Sequence, residues 1–506
     1  MEGTNGGCLN HRQNARFEIE VSRDLPQMSR FKNSPKAAAA TTIAASTLAG
    51  SRAPFFAPPN YARSAAMPSQ AVPIAEAGSP NIVASVGFVL YCAYILSGFA
   101  NDWAIRLLGN KVYISTITVL LLPVAWLLSG NALRGLQRPV GRWWAAFLVW
   151  MLVATPFSVW KGGSAMLLWN YVPRGYLQFF YICAFATSIR RCRSLMFVNI
   201  AGAVVLLLTC VKFGSVGDGS DYGRFLIPQS LFYSNANDLG LALLLGITSF
   251  WFLVSQPGIG KRIAGVVGIL LCVSYTLKTG SRGCLLALIA LSVLIFLFSR
   301  NKMMTVLIAL PIMAITLLML PSATRHRLLL FGTETEAVDA QGSSDVAAIG
   351  SQLERRELFK TSVALTLQHP LLGVGPDEFA VAMAGDRAKI GLRSPWLGTH
   401  NSYTQVSSEC GIPALICYCA VLFLSFRTNL RIFRQSRDNP ALKDVASLSF
   451  CLMAGILVYA VSTFFFHIAY GGALPILAGF SLALRLAAEP LLSRSLAYRP
   501  GQQVLA

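Results

Sequence analysis

The sequence predicts an all-α polytopic membrane protein of about 12 transmembrane helices, with one long extracytoplasmic loop carrying short helices. Three observations predict it. Apolar residues make up 54% of the 506-residue chain and charged residues only 13%, a balance that excludes a string of soluble domains. Apolar runs long enough to cross a bilayer recur from about residue 82 onward. Basic residues collect in every second connection between those runs, which is the pattern that sets orientation across a membrane.

Taken in order, residues 1–80 hold no spanning run. They include "AAAATTIAAS", "APFFAPPN" and eight Lys or Arg residues. No charged start leads into an apolar core, so the segment reads as a disordered basic cytoplasmic tail rather than a signal peptide. Spans one to nine fall within 81–320, at 82–100, 112–130, 143–160, 175–189, 194–212, 239–255, 263–278, 283–299 and 303–320. Spans ten to twelve fall within 412–490, at 412–426, 446–466 and 472–488, and 491–506 forms a cytoplasmic tail.

The basic connections carry Arg134, Arg138 and Arg142; Arg190, Arg191 and Arg193; Lys261 and Arg262; Arg300 and Lys302; and Arg427, Arg431, Arg434, Arg437 and Lys443. Every short connection obeys the alternation, which places both ends of the chain in the cytoplasm. The exception, 321–411, is long, and long loops cross regardless of charge. Its first part, "GTETEAVDAQGSSDVAAIGSQ", is polar and reads as mobile. A helix over 351–368, stopped by Pro370, follows.

The net charge of +20 belongs to these connections. No basic patch interleaved with aromatics points to nucleic acid. Seven of the eleven cysteines sit in apolar runs and no C-x-x-C pair occurs, so they read as small apolar fillers rather than a zinc or disulfide framework.

Polar groups gather on the outer side. Arg282, in "KTGSRGCLLALIA", sits between two spans with almost no loop. It either snorkels to the interface or faces a polar cavity, and glycines 280 and 283 favour close approach to a ligand. Arg355 and Arg356 open the loop helix; one of them pairs with Glu354 or Glu357, and the other suits an anion clamp, since guanidinium matches phosphate oxygens in a two-pronged fork. Asn235 and Asn237 stand at the start of span six. His400, Asn401 and Glu409 flank re-entry to span ten, where a short helix starts at Asn401 or Ser402 and ends at Gly411. His400 then stands at the positive end of a helix dipole, which keeps its ring neutral and able to accept a proton. The plainer alternative is an interface-anchoring histidine. His326 and His369 lack metal-ligand spacing, and His467, in "FFFHIAYGG", reads as an interfacial residue. "VGDGSDYG" resembles an acidic metal-binding turn only loosely, and "GVGPDEF" lacks the strand and third glycine of a nucleotide-binding loop.

Together "NAND", "SRG" and "ERRELFKTSVALTLQHPLLGVGPDEF … THNSYTQVSSECG" resemble the O-antigen ligase and polymerase superfamily, over residues 80–490. Phe359 stands where the family's helix usually has tryptophan, which puts Arg355 at the family arginine. The resemblance implies a metal-independent glycosyltransferase with no cofactor, in the bacterial inner (cytoplasmic) membrane with its site on the periplasmic side. The donor is a polyprenyl-diphosphate-linked glycan. The acceptor is a second glycan for a polymerase of exopolysaccharide or O-antigen, or lipid A core for a ligase. Membrane lipid and other polysaccharide export proteins are the remaining expected partners. His400 and Glu409 are the expected catalytic residues, Arg282, Arg355 and Arg356 the diphosphate ligands, and Asn401 and Asn237 their supports. A lipid-linked glycan transporter is the rival reading; it calls for charged or broken helices at the midplane in two related halves, neither of which is visible.

Overall fold

The computed structural model describes residues 81–109, 114–217, 223–299, 301–303, 343–394 and 396–497, with single positions at 307, 314 and 318. The expected tail at 1–80, the ninth span at 303–320 apart from isolated positions, the first part of the loop to residue 342, and the end beyond 497 lie outside the described residues.

Helices dominate. In chain order they are α1 (Ile82–Phe99), α2 (Asn101–Leu108), α3 (Ile114–Leu128), α4 (Pro139–Ala154), α5 (Lys161–Tyr171), α6 (Gln178–Phe185), α7 (Ile189–Phe213), α8 (Ala236–Ser255), α9 (Ile259–Lys278), α10 (Arg282–Phe298), α11 (Ser343–Gln368), α12 (Phe379–Lys389), α13 (Ser402–Ser436), α14 (Lys443–Ser462) and α15 (Ala473–Ala497). Two short strands, β1 (Ser215–Val216) and β2 (Phe225–Leu226), pair antiparallel between α7 and α8. Among the described residues eight helical segments are long and apolar enough to cross a membrane, and Thr116–Leu128 and Arg282–Phe298 are shorter apolar helices.

Two expectations shift. The span expected at 175–189 is the second half of a broken helix: α5 runs into a π-helical turn at Val172–Tyr176 and resumes as α6, ending at Phe185. Pro173 lacks the N–H that α-helical bonding requires, so the continuous apolar pattern is interrupted. The loop helix α11 begins at Ser343 rather than 351, so the end of the stretch read as mobile is helical.

All eight residues of α6 are buried, which leaves its final carbonyls without water. Side chains supply the missing donors: Arg134 Nη1 bonds the Cys183 carbonyl at 3.2 Å, Asn131 Nδ2 that of Ala184 at 3.4 Å and Arg191 Nη1 that of Phe185 at 3.0 Å.

Contacts sort the connections into two ends. One end joins Asn81 to Ser129, Arg138 to Glu489 and Arg193 to Asp444. The other joins Val159 to Val374, Arg224 to Thr279 and Ser402 to Thr463. The second end gathers the polar residues singled out above, and it also carries a small apolar core of its own, Leu358, Leu365, Val374, Phe379 and Met383, between α11 and α12.

Candidate active site

The helix that carries the site is built around a kink. Asn401 caps its start, accepting from Tyr403 N at 2.9 Å and Thr404 N at 3.1 Å, as its short polar side chain predicts. The helix is interrupted at Gly411, whose φ of 81° and ψ of 174° leave the helical region, before α13 continues to Ser436. A kink frees carbonyls that must find donors. The "PLLGVG" turn provides them: Val374 N bonds the Ser408 carbonyl and Gly375 N the Glu409 carbonyl, both at 2.8 Å, while Trp150 Nε1 reaches that of Cys410 at 3.0 Å. Glycine is required at this crossing. A Cβ on Gly411 would lie 2.0 Å from the Leu371 carbonyl oxygen, and one on Gly373 2.3 Å from the Glu409 backbone. The G-x-G of "GVGPDEF" therefore serves a backbone junction.

His400 precedes the cap in the left-handed region, with φ at 51°, a conformation that costs a non-glycine residue of order 1–3 kcal/mol and recurs at functional sites. Thr399 holds it there: its hydroxyl donates to the Asn401 carbonyl at 2.9 Å and accepts from Asn401 N at 3.4 Å. Burial first, then His467 and the cations Arg355 and Arg224, hold the His400 pKa down at about 3. The ring is neutral, as the sequence suggests, with burial and neighbouring cations rather than the helix dipole alone as the cause.

Three arginines share this region. Arg355 is half-buried on α11, and burial, then Arg224 and Arg282, lower its pKa to about 10. Like charges so arranged are unfavourable by themselves and suit an anionic partner. Arg282 is the first residue of α10, behind the capping Ser281. Gly283 faces Phe465 rather than an open approach, since a Cβ there would lie 2.8 Å from that side chain. Arg224 is buried: its Nη2 donates to Asn237 Oδ1 at 2.7 Å and its Nε to the Thr279 carbonyl at 3.2 Å. Asn235 caps α8 by accepting from Asn237 N at 2.8 Å. The "NAND" run thus begins a helix and grips an arginine.

Arg355, Arg282, His400, Asn401 and Asn237 are brought to one end of the fold; Arg356 and Glu409 point elsewhere. Arg356 is exposed and lines an outer groove of about 560 Å³ with Glu354, Glu357, Lys360, Met383 and Arg387. Glu409 is buried, its Oε2 accepting from Asp377 N at 3.0 Å and its carboxylate bonding the Tyr470 hydroxyl. It braces the turn against the helix.

Residues 266–419 match the family model described as Wzy_C, O-antigen ligase. This segment belongs to the O-antigen ligase and polymerase superfamily. No curated protein matches the chain closely enough to count as a relative. The ligase-family segment contains Arg282, Arg355, His400 and Glu409 and leaves out Arg224, Asn237 and His467.

Sequence reasoning missed Arg224 and His467. Arg224 lies next to "VGDGSDYG" with no motif of its own, and only the pairing of β1 with β2 and the reach to Asn237 reveal it. His467, read as interfacial, packs its ring against that of His400 with centroids 4.8 Å apart and planes at 86°. Among the described residues no three His, Cys, Asp or Glu side chains converge as a metal site would need.

Proposed function

We propose that this chain is a membrane glycosyltransferase of the bacterial inner membrane that polymerises polyprenyl-diphosphate-linked repeat units into an exported polysaccharide on the periplasmic side. The observation that carries the reading is that Arg224 and Arg282 act on Arg355, while Arg355 and Arg224 act with burial to keep the ring of His400 neutral. The acceptor hydroxyl attacks the anomeric carbon of the donor. The new C–O bond forms as the bond from that carbon to the diphosphate breaks, and the lipid diphosphate leaves with the electron pair. His400 takes the hydroxyl proton. Arg282 and Arg355 meet the charge growing on the leaving diphosphate, a task that divalent metals often serve in transfers from nucleotide sugars.

Arg224 reinforces the field from a fixed, buried position, and Asn237 sets that position. Asn401 orients His400 by capping the helix that follows it. Glu409 acts as a positioning residue, because its carboxylate already holds Asp377 N and Tyr470. Arg356 stands outside the diphosphate set in this reading.

The description of the matched family favours a second reading, transfer of a finished glycan to lipid A core as a ligase. Purified chain in lipid nanodiscs, given lipid-linked repeat units alone or with lipid A core, separates the two. Chain extension without core supports polymerisation, and product only on core supports ligation. Neither product, with the donor intact, removes the transferase reading.

A further inference from the structure

Two segments far apart in sequence are fastened together beside His400. Ser402 N donates to the Thr463 carbonyl at 2.8 Å, Tyr403 Oη to that of Ala460 at 2.8 Å, and Ala469 N to Gln405 Oε1 at 3.1 Å. The hydroxyl of Ser402 does more. It donates to the Phe466 carbonyl at 2.7 Å and accepts from Ile468 N at 3.0 Å, so one side chain pins the peptides on both sides of His467. Ser402 is itself buried, where a hydrogen bond made to a fixed partner is not easily exchanged for water.

Room for the second imidazole is also built in. A Cβ on Gly398 would lie 2.5 Å from His467 Cδ2, so the chain leading to His400 passes against the His467 ring. The backbone of His400 is held from the other side by Thr399. The outcome is an edge-to-face pair at 4.8 Å, a geometry in which the positive edge of one ring meets the negative face of the other. A residue that merely anchors an interface needs none of these attachments.

We propose that His467 is a positioning residue of the transfer reaction: its imidazole, packed against the ring of His400, fixes the orientation in which His400 meets the acceptor hydroxyl. This rests on the reading of His400 as the acceptor-side base. Burial and Arg355 keep His467 on the neutral side as well, so the pair offers a fixed aromatic surface rather than a competing charge. A ring free to turn about its side-chain bonds would spend much of its time pointing its nitrogen elsewhere, and small misplacements of a reacting group are costly.

The test is steady-state transfer by the full chain in nanodiscs, with native lipid-linked repeat units extracted from cells lacking the chain. Five proteins are compared: wild type, His467→Ala, His467→Phe, His400→Ala and the double alanine variant, each checked by size exclusion and thermal melting. His467→Ala is expected to lower kcat by about a hundred-fold with KM for the donor little changed. His467→Phe, which keeps the ring contact without a ring nitrogen, is expected to recover to within about three-fold of wild type. In the His400→Ala background the His467→Ala change is expected to add nothing, because its effect runs through His400. A wild-type kcat in folded His467→Ala, a folded His467→Phe as slow as Ala, or full additivity in the double variant would each overturn the proposal. If His467→Ala does not fold, His467→Leu, which keeps bulk without an aromatic ring, takes its place in every comparison, with the same expected and overturning outcomes. A wild-type rate in His400→Ala removes the underlying reading, and with it this one. Failure of the proposal alone looks different: His400→Ala is then slow while His467→Ala is not.

Discussion

At the scale of the residue, Arg224 and Arg282 act on Arg355, and in the proposed reaction Arg282 and Arg355 meet the leaving diphosphate. Arg282→Ala and Arg355→Ala should each lower transfer by about two to three orders of magnitude, the usual effect of removing one preorganised electrostatic contact. Arg356→Ala should stay near the wild-type rate, since Arg356 lines the outer groove; initial rates of donor consumption check all three. Equal losses at Arg355 and Arg356 would contradict the assignment. Glu409→Gln keeps an acceptor for Asp377 N and should remain active, whereas Glu409→Ala should lower the melting temperature, because it strips the Asp377 N–H of its acceptor, a loss of about 1–3 kcal/mol for a buried donor. An inactive but stable Glu409→Gln would restore that carboxylate as a base. The pH dependence follows from His400. Its ring, normally titrating near 6.5, is held at about 3, so kcat/KM, which reports the free enzyme, should not fall as pH drops through 6.5. A bound diphosphate is negative and favours the imidazolium, which raises the pKa. The acid limb of kcat should therefore lie at higher pH than that of kcat/KM, and the reverse order in a pH–rate series would contradict the placement of the arginines.

Among the elements, the junction of α13 with the "PLLGVG" turn bears most of the architecture around the site. Gly411→Ala should destabilise the fold, because the added methyl meets the Leu371 carbonyl and the backbone stands in the left-handed region. A melting curve in detergent checks this, and an unchanged midpoint would mean that the kink relaxes freely. This junction also shows what sequence can and cannot disclose. Asn401 as a cap and Gly411 as a helix stop are local signals, and both are legible because capping chemistry is local. The role of Glu409 was not legible, since its partners Asp377 and Tyr470 come from two other segments. The break in α5–α6 was hidden for a different reason: every residue of α6 is buried, so no polar face marks where the helix changes course. His467 looked like a boundary residue for the same cause, as nothing in its neighbours forecasts the Ser402 hydroxyl bonding on either side of it.

In the whole molecule, composition and the alternation of basic connections made the fold class readable, and the eight long apolar helices among the described residues agree with it. Arg138, Arg191 and Arg193 lie at one end of the bundle and Arg282, Arg355 and His400 at the other. Reporters fused at Arg191 and Arg434 should therefore give a cytoplasmic signal and a reporter at Ala348 the opposite one; a cytoplasmic signal at Ala348 would contradict the periplasmic site. The arginine cluster could only be assembled in space, because Arg224, Arg282 and Arg355 come from three separate connections, the first of them outside the ligase-family segment. The most direct test of the account is the rate at which purified chain in nanodiscs releases lipid diphosphate from lipid-linked repeat units. The account predicts turnover by the wild type and a rate about two to four orders of magnitude lower for folded His400→Ala. Release by His400→Ala at the wild-type rate would contradict it.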